Sequence, residues 1–397
     1  MSKHRLVVVG GSLAGLRAAE TARKLGFAGQ VTMISAEPGL PYDRPPLSKA
    51  YLTADGVDVT FRDRDALRGL EIDLRAGVRA TSLDVAARTV FTDHGAFPYD
   101  GLVIATGVSA RRPPIPGDLE GVHTLRTEAD ARAIRTAFDA GARVLVVGAG
   151  FIGSEVASSA RARGLEVTIV EHLGTPLVRS VGSDIGAALS SLHTGHGTGL
   201  RLGTKVVSLE GKGKVERARL SDGTVLDVDL VVLGVGASPN TRWLTSSGLK
   251  LDDGVVCDEY LRVAPGIYAA GDVARWPNGL FGGAPMRLEH WTNATEQATA
   301  AVRHWLRPET VQPHEPVPYF WSDWYDSRIQ FAGSPAGDQV RMVSGSPEEG
   351  RFAALYRRGD RVIGALTLNR PSLIMKLRML VARRTNWADA VRFATGR

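Results

Sequence analysis

The segments "RLVVVGGSLAGL" (5–16) and "VLVVGAGFIGSE" (144–155) each run from apolar residues into closely spaced glycines and then into an amphipathic stretch. Glycine in the first place of such a turn permits a tight exit from a strand. In the second it lets the backbone approach a pyrophosphate, and in the third it lets the next helix pack on the strand. Gly148, Gly150 and Gly153 fill all three places, with Phe151 and Ile152 between the last two. In the first segment Gly10 and Gly15 hold the outer places and Ser12 the middle one, followed by Leu13 and Ala14. A hydroxymethyl narrows the approach without closing it.

An acid expected to accept hydrogen bonds from a ribose follows each turn by about 20 residues. Glu37 comes 22 residues after Gly15 and Glu171 comes 18 after Gly153, each at the end of an apolar run. Two complete units imply two dinucleotides. A carboxylate at Glu171 repels a 2′-phosphate, so the second unit should prefer NAD(H) to NADP(H), although Arg179 is near enough in sequence to oppose that preference.

The elements that must position these turns form strand, turn, helix, strand units. "LVIATG", with Ala105, Thr106 and Gly107, and "VDLVVLGVG", ending at Gly236, read as strands entering glycine turns where the chain leaves and re-enters the first domain. "GIYAAGDVAR" ends a small-residue strand at Gly271 and Asp272. That aspartate would bind ribityl hydroxyls or pyrophosphate-bound water, or equally cap a helix that follows.

A chain of 397 residues, 44% hydrophobic and 23% charged, has the composition of an ordinary globular enzyme of two or three domains. Its one cysteine, Cys257, excludes an intrachain disulfide, a Cys-rich metal site and a dithiol redox pair. The basic-then-apolar start "MSKHRLVVVGG" mimics a signal peptide, but glycines interrupt the run, and it reads as a buried strand. No segment nears the ~18 uninterrupted apolar residues of a membrane helix, so the expected location is the cytoplasm, with no membrane partner. The net charge of +6 is concentrated in residues 370–397, where Arg370, Lys376, Arg378, Arg383, Arg384, Arg392 and Arg397 face Asp389 alone. Such a run is a docking field for an acidic partner or a solvated helix face.

Taken together, "PYDRPPLSKAYL" (41–52), the paired glycine units, "LVIATG", "GIYAAGD", "RLEHWTNATEQATAAVRH" and "VPYFWSDWYDSRIQFAG" resemble the NAD-dependent ferredoxin reductases of bacterial oxygenase systems, over roughly residues 5–395. The resemblance implies an α/β fold of glutathione-reductase type, with two Rossmann-like dinucleotide-binding domains and an α+β C-terminal domain. An FAD-binding domain would comprise 1–111 and 235–310, an NAD-binding domain 112–234 and the third domain 311–397. Alternation in "RFAALYRRGDRVIGALTLN" predicts antiparallel strands there, with helix after Pro371.

A flavin that accepts hydride needs rigid placement and a cation for its reduced form. Pro45 and Pro46 fix their own φ and bias the preceding residue to extended backbone, presenting Arg44 and Lys49 from a stiff loop. By resemblance Arg44 lies toward the FAD pyrophosphate, Pro45 near the isoalloxazine and Lys49 beside N5. Without it, Lys49 reads as a solvated lysine opening "SKAYL", with Ser48 as a cap. Glu155, at the start of the second unit's helix, is the expected ion-pair partner of Lys49, or a first-turn acid favoured by the helix dipole. "EHWTNATEQA" predicts a helix whose amino end meets the flavin; the resemblance sets Glu289, His290 and Trp291 at the cofactors. It sets Trp321 near the flavin too, and leaves Trp324 without a role.

The activity implied is transfer of hydride from NADH to FAD and of single electrons to a small, acidic iron–sulfur ferredoxin. A disulfide reductase of this fold lacks its cysteine pair here, and an NADH oxidase or peroxidase lacks a cysteine in the first domain. A redox flavoprotein of the apoptosis-inducing-factor kind that binds nucleic acid would use basic charge, but only Trp387 and Phe393 interleave aromatics with it, so no nucleic acid is expected.

Overall fold

A computed structural model describes residues 4–117 and 119–396, so Arg397 of the basic segment lies outside the described residues. The chain divides into two compact units, one of residues 1–43, 59–109 and 238–319, the other of 44–58, 110–237 and 320–397.

The first unit is organised by a six-stranded sheet in the order Arg262–Ala264, Ile267–Ala269, Gly101–Ile104, Arg5–Val9, Gln30–Ser35, Ile72–Ala76. All its pairs are parallel except the first. Continuous runs such as Val7–Val9 belong in a sheet covered on both faces, and these residues are buried on either side of the pleat. The helices Leu13–Lys24 and Trp291–Leu306 belong to this unit, and Trp305 sets its ring edge-on to Phe27, centroids 5.2 Å apart. Gly101 leaves room for that indole, since a Cβ there would stand 2.2 Å from it. A backbone bond from Asp43 N–H to the Val59 carbonyl (2.7 Å) closes the unit across the omitted residues 44–58.

The second unit holds a five-stranded parallel sheet in the order Gly199–Arg201, Val167–Val170, Val144–Val147, Leu230–Leu233, Val122–Thr124. The helix Phe151–Ala162 follows Val144–Val147. Leu145, Val231 and Leu233 pack with Leu209, Ala218 and Leu220 of a three-stranded antiparallel ribbon, each buried leucine or valine contributing about 1.5–3 kcal/mol. The C-terminal sheet runs Tyr319–Trp324, Ser327–Gly333, Arg361–Leu368, Arg351–Arg358, Gln339–Ser346. Its two predicted strands do pair antiparallel, Phe352 opposite Leu368. Pro371, which needs no donor at a first helical position, opens Pro371–Ala382.

Candidate functional site

In the first unit the glycine turn is shaped by steric necessity. Gly10 has φ +130° and a Cβ on it would lie 2.1 Å from the Ala105 carbonyl oxygen; one on Gly15 would lie 1.8 Å from that of Gly10. Ser12 precedes Leu13–Lys24 in extended conformation, and its side chain does not cap that helix. Glu37 lies two residues beyond the strand Gln30–Ser35, and the Tyr42 hydroxyl donates to its carboxylate. Thr106 is cross-bonded to the returning chain, its Oγ1 donating to the Asn240 carbonyl and its carbonyl accepting from Asn240 Nδ2, both 2.9 Å. Gly107 beside it takes φ +62°.

Gly271 takes φ +79°, and its N–H donates to Gln297 Oε1 at 2.9 Å. Gln297 is fully buried and its Nε2 has no protein partner among the described residues. An orphaned amide donor beside a positive-φ glycine fits a ligand rich in acceptors. Asp272 caps no helix, because the turn leads into the strand Ala274–Pro277. Glu289 is exposed and paired with Arg287 at 2.8 Å, His290 is the N-cap of Trp291–Leu306, and Trp291 Nε1 donates to Asp43 at 2.9 Å.

The second unit repeats the turn with all three glycines. Gly148 (φ +104°) would place a Cβ 2.5 Å from the Gly234 oxygen, and Gly153 one 2.2 Å from that of Gly148. Gly150 differs: the nearest protein atom to its Cβ would be 3.8 Å away, and its φ is −79°. Protein packing does not demand glycine there, whereas close approach of a pyrophosphate does. Buried Glu171 accepts from the Ala149 and Leu173 N–H groups, both 2.9 Å, which holds its carboxylate against the turn. Gly236 has φ +100° and its carbonyl accepts from Arg111 N–H. These residues fit two dinucleotides.

Segment 44–58 of the same unit carries the lysine. Arg44 has helical backbone (φ −87°, ψ −34°), not the extended form expected before proline. The bias is steric and modest; here the turn Pro45–Ser48 overrides it with bonds from Leu47 N–H to the Arg44 carbonyl and from Lys49 N–H to that of Pro46. The Arg44 guanidinium donates to the Arg126 carbonyl. Lys49 Nζ lies 2.7 Å from Glu155 Oε2 and 3.3 Å from the Pro45 oxygen. Glu155 is only 3% exposed.

Two alternatives for these residues fall. Ser48 caps nothing, since the Ala50–Thr53 turn begins after Lys49 and the Ser48 hydroxyl donates to Glu155 Oε2 at 2.5 Å. Nor is Glu155 a first-turn acid: it is the fifth residue of Phe151–Ala162, past the reach of the end charge.

Ser322, which the motifs did not flag, donates to Glu155 Oε1 at 2.5 Å. The alternation of Tyr319–Trp324 buries Ser322 and Trp324 together and leaves Trp321 half-buried on the opposite face. Trp324 stacks on His193 (centroids 4.8 Å), which burial holds neutral by pushing its imidazole down to about 4. Period two in "FWSDW" was the available signal.

A strand, a pyrophosphate-fitted turn, a helix and a terminal acid, twice in one chain, define an oxidoreductase that uses two dinucleotides. The chain belongs to the pyridine nucleotide-disulphide oxidoreductase family, whose model matches residues 4–298, and a reductase C-terminal model matches 319–394. It is 37% identical over 383 residues to rhodocoxin reductase of Rhodococcus erythropolis, covering 95% of this chain and 89% of that protein. It is also 37% identical over 370 residues to the ferredoxin–NAD(+) reductase subunit of the benzene 1,2-dioxygenase system of Pseudomonas putida, covering 92% and 89%. The crystal structure of the covalent putidaredoxin reductase–putidaredoxin complex matches with a TM-score of 0.92 at 32% identity, covering 97% of this chain and 94% of that one.

Proposed function

We propose that this chain is the FAD-containing ferredoxin reductase of an oxygenase system, taking hydride from NADH and passing electrons singly to a small iron–sulfur protein. One observation carries the reading: two dinucleotide turns stand in a chain whose only cysteine, Cys257, is buried with its thiol pushed up to about 12 by desolvation. No sulfur relay is available, so the electrons leave for an external carrier. Rhodocoxin reductase and the benzene dioxygenase subunit support the same reading.

Bound FAD supplies the exchange between an electron pair and single electrons. We assign its binding to Gly10, Ser12, Gly15, Glu37, Thr106, Gly271 and Asp272, within an FAD part of residues 1–111 and 235–310. NADH falls to Gly148, Gly150, Gly153 and Glu171, within 112–234, and residues 311–397 form the third part. The carboxylate of Glu155 accepts from and orients the nicotinamide carboxamide, and Lys49, 2.7 Å from that carboxylate, sets a positive charge beside it. An enzyme fed by NADH works where NADH is held, in the cytoplasm. No described helix is long and apolar enough to cross a membrane.

Docking of an acidic carrier falls to the helices Pro371–Ala382 and Trp387–Thr395, where Lys376, Arg383 and Arg392 are exposed beside Met375, Met379 and Phe393. Ferredoxin reduction should slow steeply as salt rises past ~0.1 M; a rate indifferent to salt rejects this surface.

Anaerobic titration tests the whole reading. The yellow protein should bleach with one equivalent of NADH per flavin and reduce cytochrome c only when an iron–sulfur ferredoxin is added. A colourless protein that takes up no FAD overturns it.

A further inference from the structure

We infer that Ser322 is a positioning residue for Glu155, with its hydroxyl oriented by the indole of Trp324. The inference rests on the reading that Glu155 and Lys49 serve hydride transfer. Trp324 Nε1 lies 2.9 Å from Ser322 Oγ, and both side chains are fully buried. An indole N–H can only donate, so Ser322 Oγ must accept from it, and the single hydroxyl hydrogen is left for Glu155 Oε1 at 2.5 Å. The other carboxylate oxygen takes Ser48 and Lys49. Each oxygen therefore has its own donor, and the carboxyl plane is fixed from both ends.

The indole is itself held. It stacks on His193, whose Nδ1 lies 2.8 Å from the Tyr325 hydroxyl, and the Tyr325 N–H donates to Ser158 Oγ. Tyr325 sits at φ +55°, a conformation that persists only when its surroundings over-determine it. The strand end bearing Trp324 is thus fastened to the helix that bears Glu155, because Ser158 lies on Phe151–Ala162. Glu155, Ser322 and Trp324 form one directional chain of donors ending on a carboxylate. Loss of any donor upstream lets the acceptor rotate.

Stopped-flow reduction of the FAD-loaded enzyme by NADH, together with nitrogen-15 NMR of the indole in the apoprotein, tests this. Removing one hydrogen bond to a charged group should lower the reduction rate about tenfold in Ser322→Ala, with the NADH dissociation constant held within about twofold. Trp324→Phe removes the N–H together with the five-membered ring of the indole while keeping an aromatic face toward His193, and should slow reduction by about threefold. The double variant should match Ser322→Ala alone, because the indole acts through the hydroxyl.

In the apoprotein the Trp324 N–H resonance, identified by its absence in Trp324→Phe, should move upfield in Ser322→Ala. Multiplying effects in the double variant, or an unmoved indole resonance, overturn the inference. Should Ser322→Ala fail to fold, a parental rate in Trp324→Phe overturns it equally. Glu155→Gln separates the two levels: if it reduces at the parental rate, the reading of the ion pair fails. If Glu155→Gln is slow and Ser322→Ala is not, only the positioning role fails.

Discussion

Substituting alanine in turn for Gly148 and Gly150 separates the needs of the fold from those of the ligand. At Gly150 the backbone is extended (φ −79°, ψ 177°) and the added methyl would find its nearest protein atom at 3.8 Å. Stiffening the unfolded chain favours alanine by about 0.4–1 kcal/mol. As the residue before Phe151–Ala162, alanine is a poorer N-cap than glycine by a comparable ~0.5–1 kcal/mol. The two offset, and Gly150→Ala should unfold within about 0.5 kcal/mol of the parent. Gly148→Ala forces φ +104° on a residue whose Cβ would stand 2.5 Å from a carbonyl oxygen, and strain with overpacking should cost about 3 kcal/mol or more. For the dinucleotide the order is different. A methyl in the path of a pyrophosphate costs about 1–3 kcal/mol, so Gly150→Ala should raise the NAD(H) dissociation constant at least about fivefold. Thermal unfolding of the apoprotein and calorimetric titration with NAD+ make the comparison. Parental affinity in Gly150→Ala, or a loss of stability equal to that of Gly148→Ala, would refute the assignment of that turn.

Lys49→Met strips the ammonium from a carboxylate that is 3% exposed; two serine hydroxyls remain on it and Lys49 is itself 22% exposed, so the loss should be about 2 kcal/mol, below the 3–5 of a wholly buried pair. Spread over 397 residues at ~2.1 cal/mol/K each, this lowers the unfolding midpoint by about 2–3 °C, and adding Glu155→Gln should recover part of it in calorimetry. His193 titrates near 4 when folded against ~6.5 unfolded, so it contributes nothing above pH ~6.5, and as pH falls toward 4 the unfolded chain alone gains the proton and stability drops, by up to about 3 kcal/mol. Denaturant unfolding of His193→Asn should show a shallower loss across that window; an identical slope rejects the neutral, buried imidazole. Cys257 should resist Ellman's reagent until the protein unfolds, and Cys257→Ala should accept hydride from NADH at the parental rate.

What could be read from the sequence was what chain-local geometry dictates. Gly10, Gly15, Gly148 and Gly153 are glycine because a Cβ would strike a backbone oxygen within the same turn or the neighbouring strand, and spacing alone carries that requirement. Lys49 and Glu155 are 106 positions apart, and their pairing was anticipated because a buried lysine must find an anion. One expectation failed, because the hydrogen-bonded turn Pro45–Ser48 outweighs the steric bias and leaves Arg44 helical before proline. The alternatives of Ser48 as a cap and Glu155 as a first-turn acid give way to the bonds both side chains make around the ion pair.

One physical demand could have led further. A buried carboxylate has two oxygens, and a single ammonium satisfies only part of its capacity. The remaining donors must come from somewhere, and here they come from 107 and 167 positions away. Nothing in spacing identifies them, but type narrows the field. A lone serine between aromatic residues on the buried face of a strand, as Ser322 is, has a polar atom that must be matched within the core. Ser322 needs an acceptor for its hydrogen and Glu155 needs donors for its oxygens, so each answers a requirement that the other leaves open.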